Sequence, residues 1–419
     1  MIRREILPNG LTLLTETMPN IRSVCLGVWL KQGSRHETEP ENGVSHFIEH
    51  LLFKGTEKRT AKEIAKTIDT IGGQCDAFTS KEYTCFYARV LDEHVGVAFD
   101  LLSDIVLRPR FESEQIEKER KVIFEEIKMV EDSPDELVYD LFTETIWRDH
   151  PLGRPIQGTV ESVTALGTEM LGKFFRSSYH PANVVISAAG NLDHPRLTAL
   201  VKETFSSLSD GTPLRPIGVP NHRAEIVLRE KKELEQLHLC IGVPALPQDH
   251  PDRYSGYILN TLLGGTMSSR LFQNIREDRG LAYNVFSAMN SFADTGYFAV
   301  YAATRPGGGG EVIAQICEEL VKVKEVKVDP VELKGAKDHL KGNLMLSLES
   351  SSSRMSNLAR QDIYFQRQFS LDEIVAEIDK VTSEQVQALA RSMLDGRKCC
   401  AAVLGRLDGL NLSREQFAF

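Results

Sequence analysis

The sequence lacks the cysteine patterns of disulfide-rich proteins and of cysteine-based metal sites. Its seven cysteines are scattered, no two are spaced as Cys-x-x-Cys, and they lie at positions 25, 75, 85, 240, 317, 399 and 400. An odd number of cysteines, mostly in apolar, strand-like surroundings, argues against a disulfide framework. The pattern therefore predicts neither a disulfide scaffold nor a cysteine zinc site.

Long apolar runs are also missing, and so is an excess of positive charge. No stretch approaches the length of a membrane span, and Glu5, Pro8 and Asn9 interrupt the apolar segment that a signal peptide would need. We therefore expect a cytoplasmic protein without a membrane span. The net charge of −10, with no basic cluster interleaved with aromatic residues, argues against nucleic acid as a partner.

What the chain does have is the composition of a soluble globular protein with more than one domain. It has 419 residues, of which 42% are hydrophobic and 26% are charged. Single hydrophobic cores stop growing at roughly 250–300 residues, so two or more domains are expected.

The most informative stretch is His46-x-x-Glu49-His50, which lies in an apolar run bounded by Gly43 and Gly55. The bounding residues are typical helix start and stop signals, so the run predicts a short buried helix. Residues at i, i+3 and i+4 share one helix face, so His46, Glu49 and His50 would converge. This is the inverted zincin pattern, in which two imidazoles bind zinc and a carboxylate takes a proton from water.

Five residues of pattern leave open that His46 and His50 are ordinary histidines of a core helix. Burying two imidazoles and a carboxylate without partners would, however, cost on the order of several kcal/mol. A metal site also needs a third protein ligand, which this stretch does not supply.

The segment 112–132 is predicted to be a long charged helix, and it offers candidates for the third ligand. Its apolar stripe carries the carboxylates of Glu119 and Glu126, whereas Glu125 belongs to a solvated face of alternating charges. Periodicity therefore selects Glu126 over Glu125, and Glu119 could hydrogen-bond a ligand histidine. Periodicity alone leaves open that both carboxylates merely lie at the edge of the stripe.

The second half of the chain repeats the first half without the metal motif. Residues 45–56 align with 255–266 at a fixed offset, but both histidines and the glutamate are replaced, and residues 169–193 align with 384–408 at a nearly equal offset. A stretch rich in Gly and Pro lies between the two halves and indicates an extended linker. We predict an α+β fold of two homologous domains, each a mostly antiparallel sheet with helices packed on it, at residues 1–210 and 229–419 with a linker at 211–228.

Several further motifs surround the His46-x-x-Glu49-His50 pattern. They are Gly33-Ser34-Arg35, Leu51-Leu52-Phe53-Lys54-Gly55-Thr56, Gly72-Gly73-x-x-Asp76-Ala77-Phe78-Thr79 and Val122-Ile123-x-x-Glu126-Ile127. Together they resemble the inverzincin family of pitrilysin, insulin-degrading enzyme and mitochondrial processing peptidase. The interval between His50 and Glu126 is similar to the spacing of that family, and the likeness continues into the second half.

The resemblance implies roles residue by residue. His46, His50 and Glu126 match the ligands of one zinc ion per chain, Glu49 matches the general base, and Glu119 matches a glutamate behind the ligands. These five residues are the predicted metal and catalytic centre of the first domain.

The resemblance also implies how a substrate is held. Asp76, Ala77 and Phe78 match an edge strand to which an extended peptide adds by main-chain hydrogen bonds, although the family more often has Asn where Asp76 stands. In the second half, Arg276 and Tyr283 match a pair that can donate to a peptide carbonyl and an oxyanion. Without the resemblance, this pair would be interpreted as an arginine on a surface helix and a tyrosine in the following strand.

The function that these matches imply is that of a zinc endopeptidase or oligopeptidase acting on extended peptides or unfolded polypeptides in a closed chamber. Pitrilysin-like relatives carry four such domains in one polypeptide, so a two-domain chain is expected to form a homodimer. The alternative is a non-catalytic scaffold subunit, or a chain that is active only with a related partner. Degenerate members lack some of the ligands, whereas this chain keeps all of them.

Overall fold

The computed structural model describes residues 2–206, 208, 211 and 217–419. These residues form two units, each built around one sheet. The first unit comprises Met1–Lys128, Arg154–Ile217 and Ser347–Gln368, and the second comprises Met129–Gly153, Gly218–Leu346 and Phe369–Phe419. The predicted α+β class with two homologous, mostly antiparallel domains is confirmed.

The sheet of the first unit contains, within the described residues, six strands in the order β1-β2-β6-β3-β5-β4. Only β2 and β6 pair in parallel; the other neighbours are antiparallel. The strands are β1 (Ile2–Ile6), β2 (Thr12–Thr17), β3 (Ser23–Leu30), β4 (Gln74–Thr79), β5 (Thr84–Leu91) and β6 (Val184–Gly190). Strand β4 lies at an edge and pairs with β5 alone among the described residues.

Helices pack on one face of this sheet and enclose the larger core, which includes Phe47, Ile48, Leu51, Phe86 and Ile123. The helices from the N-terminal half that accompany this sheet are α1 (Val44–Leu52), α2 (Ala61–Thr70), α3 (Val95–Leu107), α4 (Ser113–Glu131), α6 (Val160–Ala165), α7 (Thr168–Ser178) and α8 (His194–Phe205). Helices α1 and α4 lie where the periodicity of the sequence predicted them.

The sheet of the second unit contains five strands in the order β7-β11-β8-β10-β9 over the same described ranges. They are β7 (Ile226–Glu230), β8 (Leu237–Pro244), β9 (Ala282–Ser291), β10 (Gly296–Thr304) and β11 (Cys400–Gly405). The accompanying helices are α5 (Pro134–Ile146), α9 (Arg253–Gly264), α10 (Gly309–Glu325), α11 (Pro330–Ser347), α13 (Leu371–Lys380) and α14 (Ser383–Met393), with a π-helix at Phe272–Asp278.

The order of the second sheet reproduces β2-β6-β3-β5-β4 of the first, including the single parallel pair. Two glycines aligned by the sequence repeat end the equivalent strands β6 and β11. Gly190 has φ +135° and Gly405 has φ +136°, and a Cβ on either would lie within 2.5 Å of a main-chain oxygen. The same backbone conformation at aligned positions is strong structural evidence for the duplication.

The halves of the chain exchange a helix. Helix α12 (Ser351–Phe365), from the C-terminal half, packs on β2, β3 and β6 of the first sheet. Helix α5, from the N-terminal half, packs on β7, β8 and β11, which are the equivalent strands of the second sheet. Each sheet thus has one face covered by a helix from the other half of the sequence. A division of the chain into two domains at a single linker does not describe this arrangement.

The predicted linker is described only in part. Asp210, Pro213 and Pro216 lie outside the described residues, and Ile226 to Leu228, placed in the linker by the sequence, begin strand β7. The domain limits at 210 and 229 therefore stay a prediction. Across the described ranges, every helix is too short or too polar to cross a lipid bilayer.

Candidate metal centre

Polar contacts hold helix α1 in place at both ends. At its start, Gly43 has φ +93°, and a Cβ there would lie 2.7 Å from a main-chain oxygen of a neighbouring loop. The buried carboxylate of Glu37 accepts hydrogen bonds from the N–H groups of Gly43 (2.8 Å) and Ser45 (2.9 Å), as an N-capping side chain does. Beyond its end, Thr56 donates to the buried carboxylate of Asp104 over 2.7 Å. The helix is therefore a fixed platform.

Three side chains from α1 and α4 converge at the surface of this platform. His46, His50 and Glu126 each offer one potential ligand atom, and these atoms lie within 4.8 Å of one another. The Nε2 atoms of His46 and His50 are 3.6 Å and 3.4 Å from the same oxygen, Oε2 of Glu126. Glu125 instead forms an exposed ion pair with Lys128. No second group of three such ligands occurs in the part of the chain that the structure describes.

The charges in this cluster are matched to one another. Burial and, to a lesser extent, the nearby His50 lower the pKa of His46 to about 4, although Glu126 opposes the shift. Burial also lowers the pKa of His50, but its hydrogen bond and charge interaction with Glu126 outweigh burial and raise the pKa overall. The hydrogen bond from His50 lowers the pKa of Glu126. A proton and a divalent cation would therefore compete for the same ligand atoms.

A buried carboxylate and a lysine lie behind His50. Oε2 of Glu119 is 3.2 Å from Nδ1 of His50, and Oε1 of Glu119 is 2.9 Å from Nζ of Lys54. With Nδ1–H donated to Glu119, Nε2 of His50 is the nitrogen left facing Glu126. The helix periodicity predicted Glu119 at this place but not Lys54, although Lys54 follows His50 by four residues, about one helical turn.

Glu49 lies on α1 between the cluster and the edge strand β4. The hydroxyl of Thr79, the last residue of β4, donates to Oε2 of Glu49 over 2.5 Å. Burial raises the pKa of Glu49, and the hydrogen bond from Thr79 partly offsets the increase because it favours the charged form. No sequence pattern predicted Thr79 as a partner of Glu49.

The three predicted substrate-binding residues lie on strand β4, where successive side chains point to opposite faces of the sheet. Ala77 packs against the core that contains α1, whereas Phe78 lies on the opposite face, 37% exposed and 5.6 Å from the ring of Trp29. Asp76 is exposed and accepts a hydrogen bond from the N–H of Ala77. The predicted residues thus lie on a strand whose outer edge has no strand partner among the described residues.

Arg276 and Tyr283 lie close together in the second unit. Arg276 belongs to the π-helix, and its guanidinium carbon is 4.9 Å from the ring centre of Tyr283 and 4.6 Å from that of Phe272. Tyr283, on strand β9, is 76% exposed. The sequence predicted an arginine on a helix and a tyrosine on the next strand but not the π form, which often occurs at functional sites.

Family models match both halves of the chain. Residues 12–160 match the model described as Insulinase (Peptidase family M16), and residues 166–340 match the Peptidase M16 inactive domain. The chain belongs to peptidase family M16. The first model covers His46, Glu49, His50, Glu119 and Glu126, and the second covers Arg276 and Tyr283.

Relatives within the M16 family are named as zinc proteases. An uncharacterized zinc protease of Bacillus subtilis is 42% identical over 393 residues, covering 94% of this chain and 96% of the relative. One of Mycobacterium tuberculosis is 41% identical over 408 residues, covering 96% of this chain and 93% of the relative. These names attach zinc and proteolysis to close relatives of this M16 chain.

Solved structures share the fold at lower identity. A protease from Helicobacter pylori matches with a TM-score of 0.90 at 22% identity, covering 96% of this chain and 99% of that one. A chain of complex III2 from Candida albicans matches with a TM-score of 0.85 at 21% identity, covering 100% of both chains. The fold of this M16 chain therefore also occurs in a structure of complex III2.

Proposed function

We propose that this M16 chain is a zinc-dependent endopeptidase or oligopeptidase that hydrolyses peptides bound in extended conformation. The observation that carries the proposal is the convergence of His46, His50 and Glu126. Glu49 lies on the same helix, α1, as the two histidines. Names of relatives 41–42% identical over nearly the whole chain point to the same chemistry.

The donor set fits zinc. Catalytic zinc sites have three protein ligands from imidazole nitrogen and carboxylate oxygen and keep a further position open. His50 carries the carboxylate partner on Nδ1 that ligand histidines commonly have. We therefore assign His46, His50 and Glu126 as ligands of one zinc ion per chain.

The chemistry then divides between the metal and the chain. When bound, zinc acts as a Lewis acid that polarises a peptide carbonyl and makes water more acidic. Glu49 accepts a proton from the attacking water and delivers it to the nitrogen of the leaving amine. Its partly buried position favours such proton transfer because burial raises its pKa towards neutrality.

Strand β4 supplies the site for the peptide. Among the described residues its outer edge has no strand partner, so an extended chain can add there by main-chain hydrogen bonds, and the strand ends at Thr79 beside Glu49. Main-chain pairing at Asp76, Ala77 and Phe78 would therefore bring a peptide alongside the general base.

A closed chamber and a homodimer complete the proposal. We propose that the partner subunit's Arg276 and Tyr283 serve each metal centre, donating to the substrate carbonyl and the developing oxyanion. In the second unit Tyr283 is exposed, and Arg276 stacks on its ring and forms an ion pair with Glu277 over 3.5 Å.

The test combines metal analysis with peptide hydrolysis. The purified protein should contain about one zinc per chain, cleave an unstructured fluorogenic peptide, and lose cleavage on treatment with a zinc chelator. Protein that holds one zinc but cleaves no peptide would contradict the peptidase assignment.

The second candidate is a non-catalytic scaffold subunit, which the likeness to a chain of complex III2 makes worth testing. Only the fold is shared at 21% identity, and this chain retains a complete ligand cluster with a base beside it. Peptide hydrolysis by the zinc-loaded protein separates the candidates, because a scaffold subunit would not cleave the peptide.

A further inference from the structure

The hydrogen bond between Thr79 and Glu49 joins the proposed substrate strand to the proposed base. Oγ1 of Thr79 donates to Oε2 of Glu49 over 2.5 Å. Among the described residues, this is the hydrogen bond that the Glu49 carboxylate accepts, and it goes to Oε2 and not to Oε1. The two oxygens of the carboxylate are therefore inequivalent, with one anchored and the other available.

The backbone that carries Thr79 is itself fixed. Thr79 pairs with Thr84 across the turn of the β4–β5 hairpin, and the turn is closed by the hydrogen bond from the Ser80 N–H to Tyr83 O over 2.8 Å. The loop before α1 packs under this turn so closely that a Cβ on Gly33 would lie 2.2 Å from Ser80 O. The Thr79 hydroxyl is thus presented from a rigid element.

A glutamate side chain has three rotatable bonds and needs a partner to stay in one orientation. Misplacement of a reacting group by about 1 Å can cost about a hundredfold in rate. We propose that Thr79 is a positioning residue for proton transfer: its hydroxyl holds Oε2 of Glu49 so that Oε1 faces the attacking water. This inference rests on the proposed function.

The position of Thr79 gives this contact a second consequence. A peptide that pairs with β4 adds hydrogen bonds to the same strand and limits its fluctuation, so substrate binding further restricts the base. The base is then best oriented when the site is filled.

The kinetic test compares Thr79→Val, which keeps the shape and removes the hydroxyl, with Thr79→Ser, which keeps the hydroxyl. We expect Thr79→Val to lower kcat roughly tenfold to a hundredfold, with KM and zinc content unchanged, and Thr79→Ser to restore most of kcat. Thr17→Val is the matched control, because Thr17 also ends a strand, β2, and its hydroxyl donates to Leu192 O over 3.3 Å and not to Glu49.

A double-mutant cycle tests whether Thr79 acts through Glu49. In the Glu49→Gln background, Thr79→Val should cause no further loss of rate, because the carboxylate it orients is absent. Wild-type kcat in Thr79→Val, a failure of Thr79→Ser to restore the rate, or a full additional loss in the double variant would each overturn the proposal.

A crystallographic comparison tests the positioning role of Thr79 without a measurement of catalysis. Glu49 should adopt one conformer bonded to Thr79 in the zinc-loaded wild type and leave that position in zinc-loaded Thr79→Val. An unmoved, singly ordered carboxylate in the variant would contradict the positioning role. If the wild type cleaves no peptide, the proposed function fails, and this comparison still reports on Thr79 alone.

Discussion

The two sheets of this chain share the order of five strands, a single parallel pair and a pair of matching glycines, yet among the described residues only the first unit carries a cluster of potential metal ligands. The difference is concentrated in equivalent helices. Helix α1 presents His46, Glu49 and His50 on its partly exposed face, whereas α9 has Gly256, Leu259 and Asn260 at the aligned positions.

This contrast separates the residues that make the fold from those that make the site. The apolar positions of both helices are buried against their sheets, so either sequence satisfies the core. The proposed metal ligands of α1 lie at its open face, next to Glu126 of α4 and with Glu119 behind them. A fold can keep its architecture after such a site is lost, because the ligands contribute little to the core.

The largest expected effect comes from removing a ligand, which would make the first unit resemble the second. His46→Ala should lower zinc affinity by more than the roughly 10–100-fold that loss of an outer partner causes, and peptide hydrolysis should fall to background. Elemental analysis and a chelator competition measure this. His339→Ala, an exposed histidine of the second unit, is the control, and retention of zinc by His46→Ala would exclude the ligand set.

Removing the base should separate zinc binding from chemistry. Glu49→Gln keeps the size of the side chain and removes its basic oxygen, so kcat should fall by about a hundredfold or more with one zinc retained. Steady-state kinetics and zinc content, measured on the same preparation, check both statements. Cleavage at the wild-type rate would show that another group takes the proton.

The second unit should contribute its own share through Tyr283. Loss of one oxyanion donor costs about a hundredfold, so Tyr283→Phe should lower kcat on that scale without loss of zinc. Wild-type kcat in this variant would remove Tyr283 from the catalytic pair.

Mixing variants tests whether the two units cooperate between chains. Equal amounts of Glu49→Gln and Tyr283→Phe chains should, after exchange, form half mixed dimers with one intact composite site each, restoring roughly a quarter of wild-type activity. Demonstrated exchange without recovery would place the pair within its own chain or outside the reaction.

A smaller effect is expected behind the ligands, where the second unit has no counterpart cluster in its described residues. Lys54→Met removes the cation beside Glu119, so the carboxylate holds His50 less firmly, and zinc affinity should fall about tenfold. Lys58→Met, four residues along, is the control, because Lys58 is exposed and its nearest ion pair, with Asp100, is long at 3.9 Å. Equal zinc affinity in both variants would show that Lys54 has no part in the site.

The smallest expected effect is on stability. It tests whether helix α9 can accommodate a histidine at the position aligned with His46. A Cβ on Gly256 would lie 2.8 Å from Sδ of Met289, so Gly256→His should overpack this helix and lower the free energy of unfolding by roughly 1–3 kcal/mol. Gly310→His is the control, because a Cβ there meets nothing within 4 Å. Urea unfolding of both variants gives the comparison, and equal stabilities would show that α9 tolerates the ligand.

Much of the fold and site could be predicted because the decisive signals are local. The spacing of His46, Glu49 and His50 places them on one face of a short helix, and the apolar stripe of 112–132 distinguishes Glu126 from Glu125. The structure brings the three proposed ligands together, and their roles stay predictions. Internal repetition predicted the duplication because aligned glycines and turns recur at a nearly constant offset.

What could not be predicted depends on contacts between distant segments. The reciprocal placement of α5 and α12 leaves no mark on periodicity, because an amphipathic helix does not show which sheet it will cover. Thr79 and Lys54 are ordinary residues in sequence and become partners of Glu49 and Glu119 only through the hairpin and the helix end. The π form of 272–278 likewise follows from packing, since no single residue type specifies it.

The late position of α12 in the chain constrains how the protein is made. During synthesis, the first sheet can form once β6 has emerged from the ribosome, but Leu14, Trp29 and Val185 on one of its faces await Met355 and Leu358. For roughly 170 residues of further translation, about 10–30 s at typical elongation rates, that apolar face has no covering helix. A nascent chain paused before Ser351 would therefore be a ready client for chaperones, and an isolated N-terminal half would expose the same surface permanently.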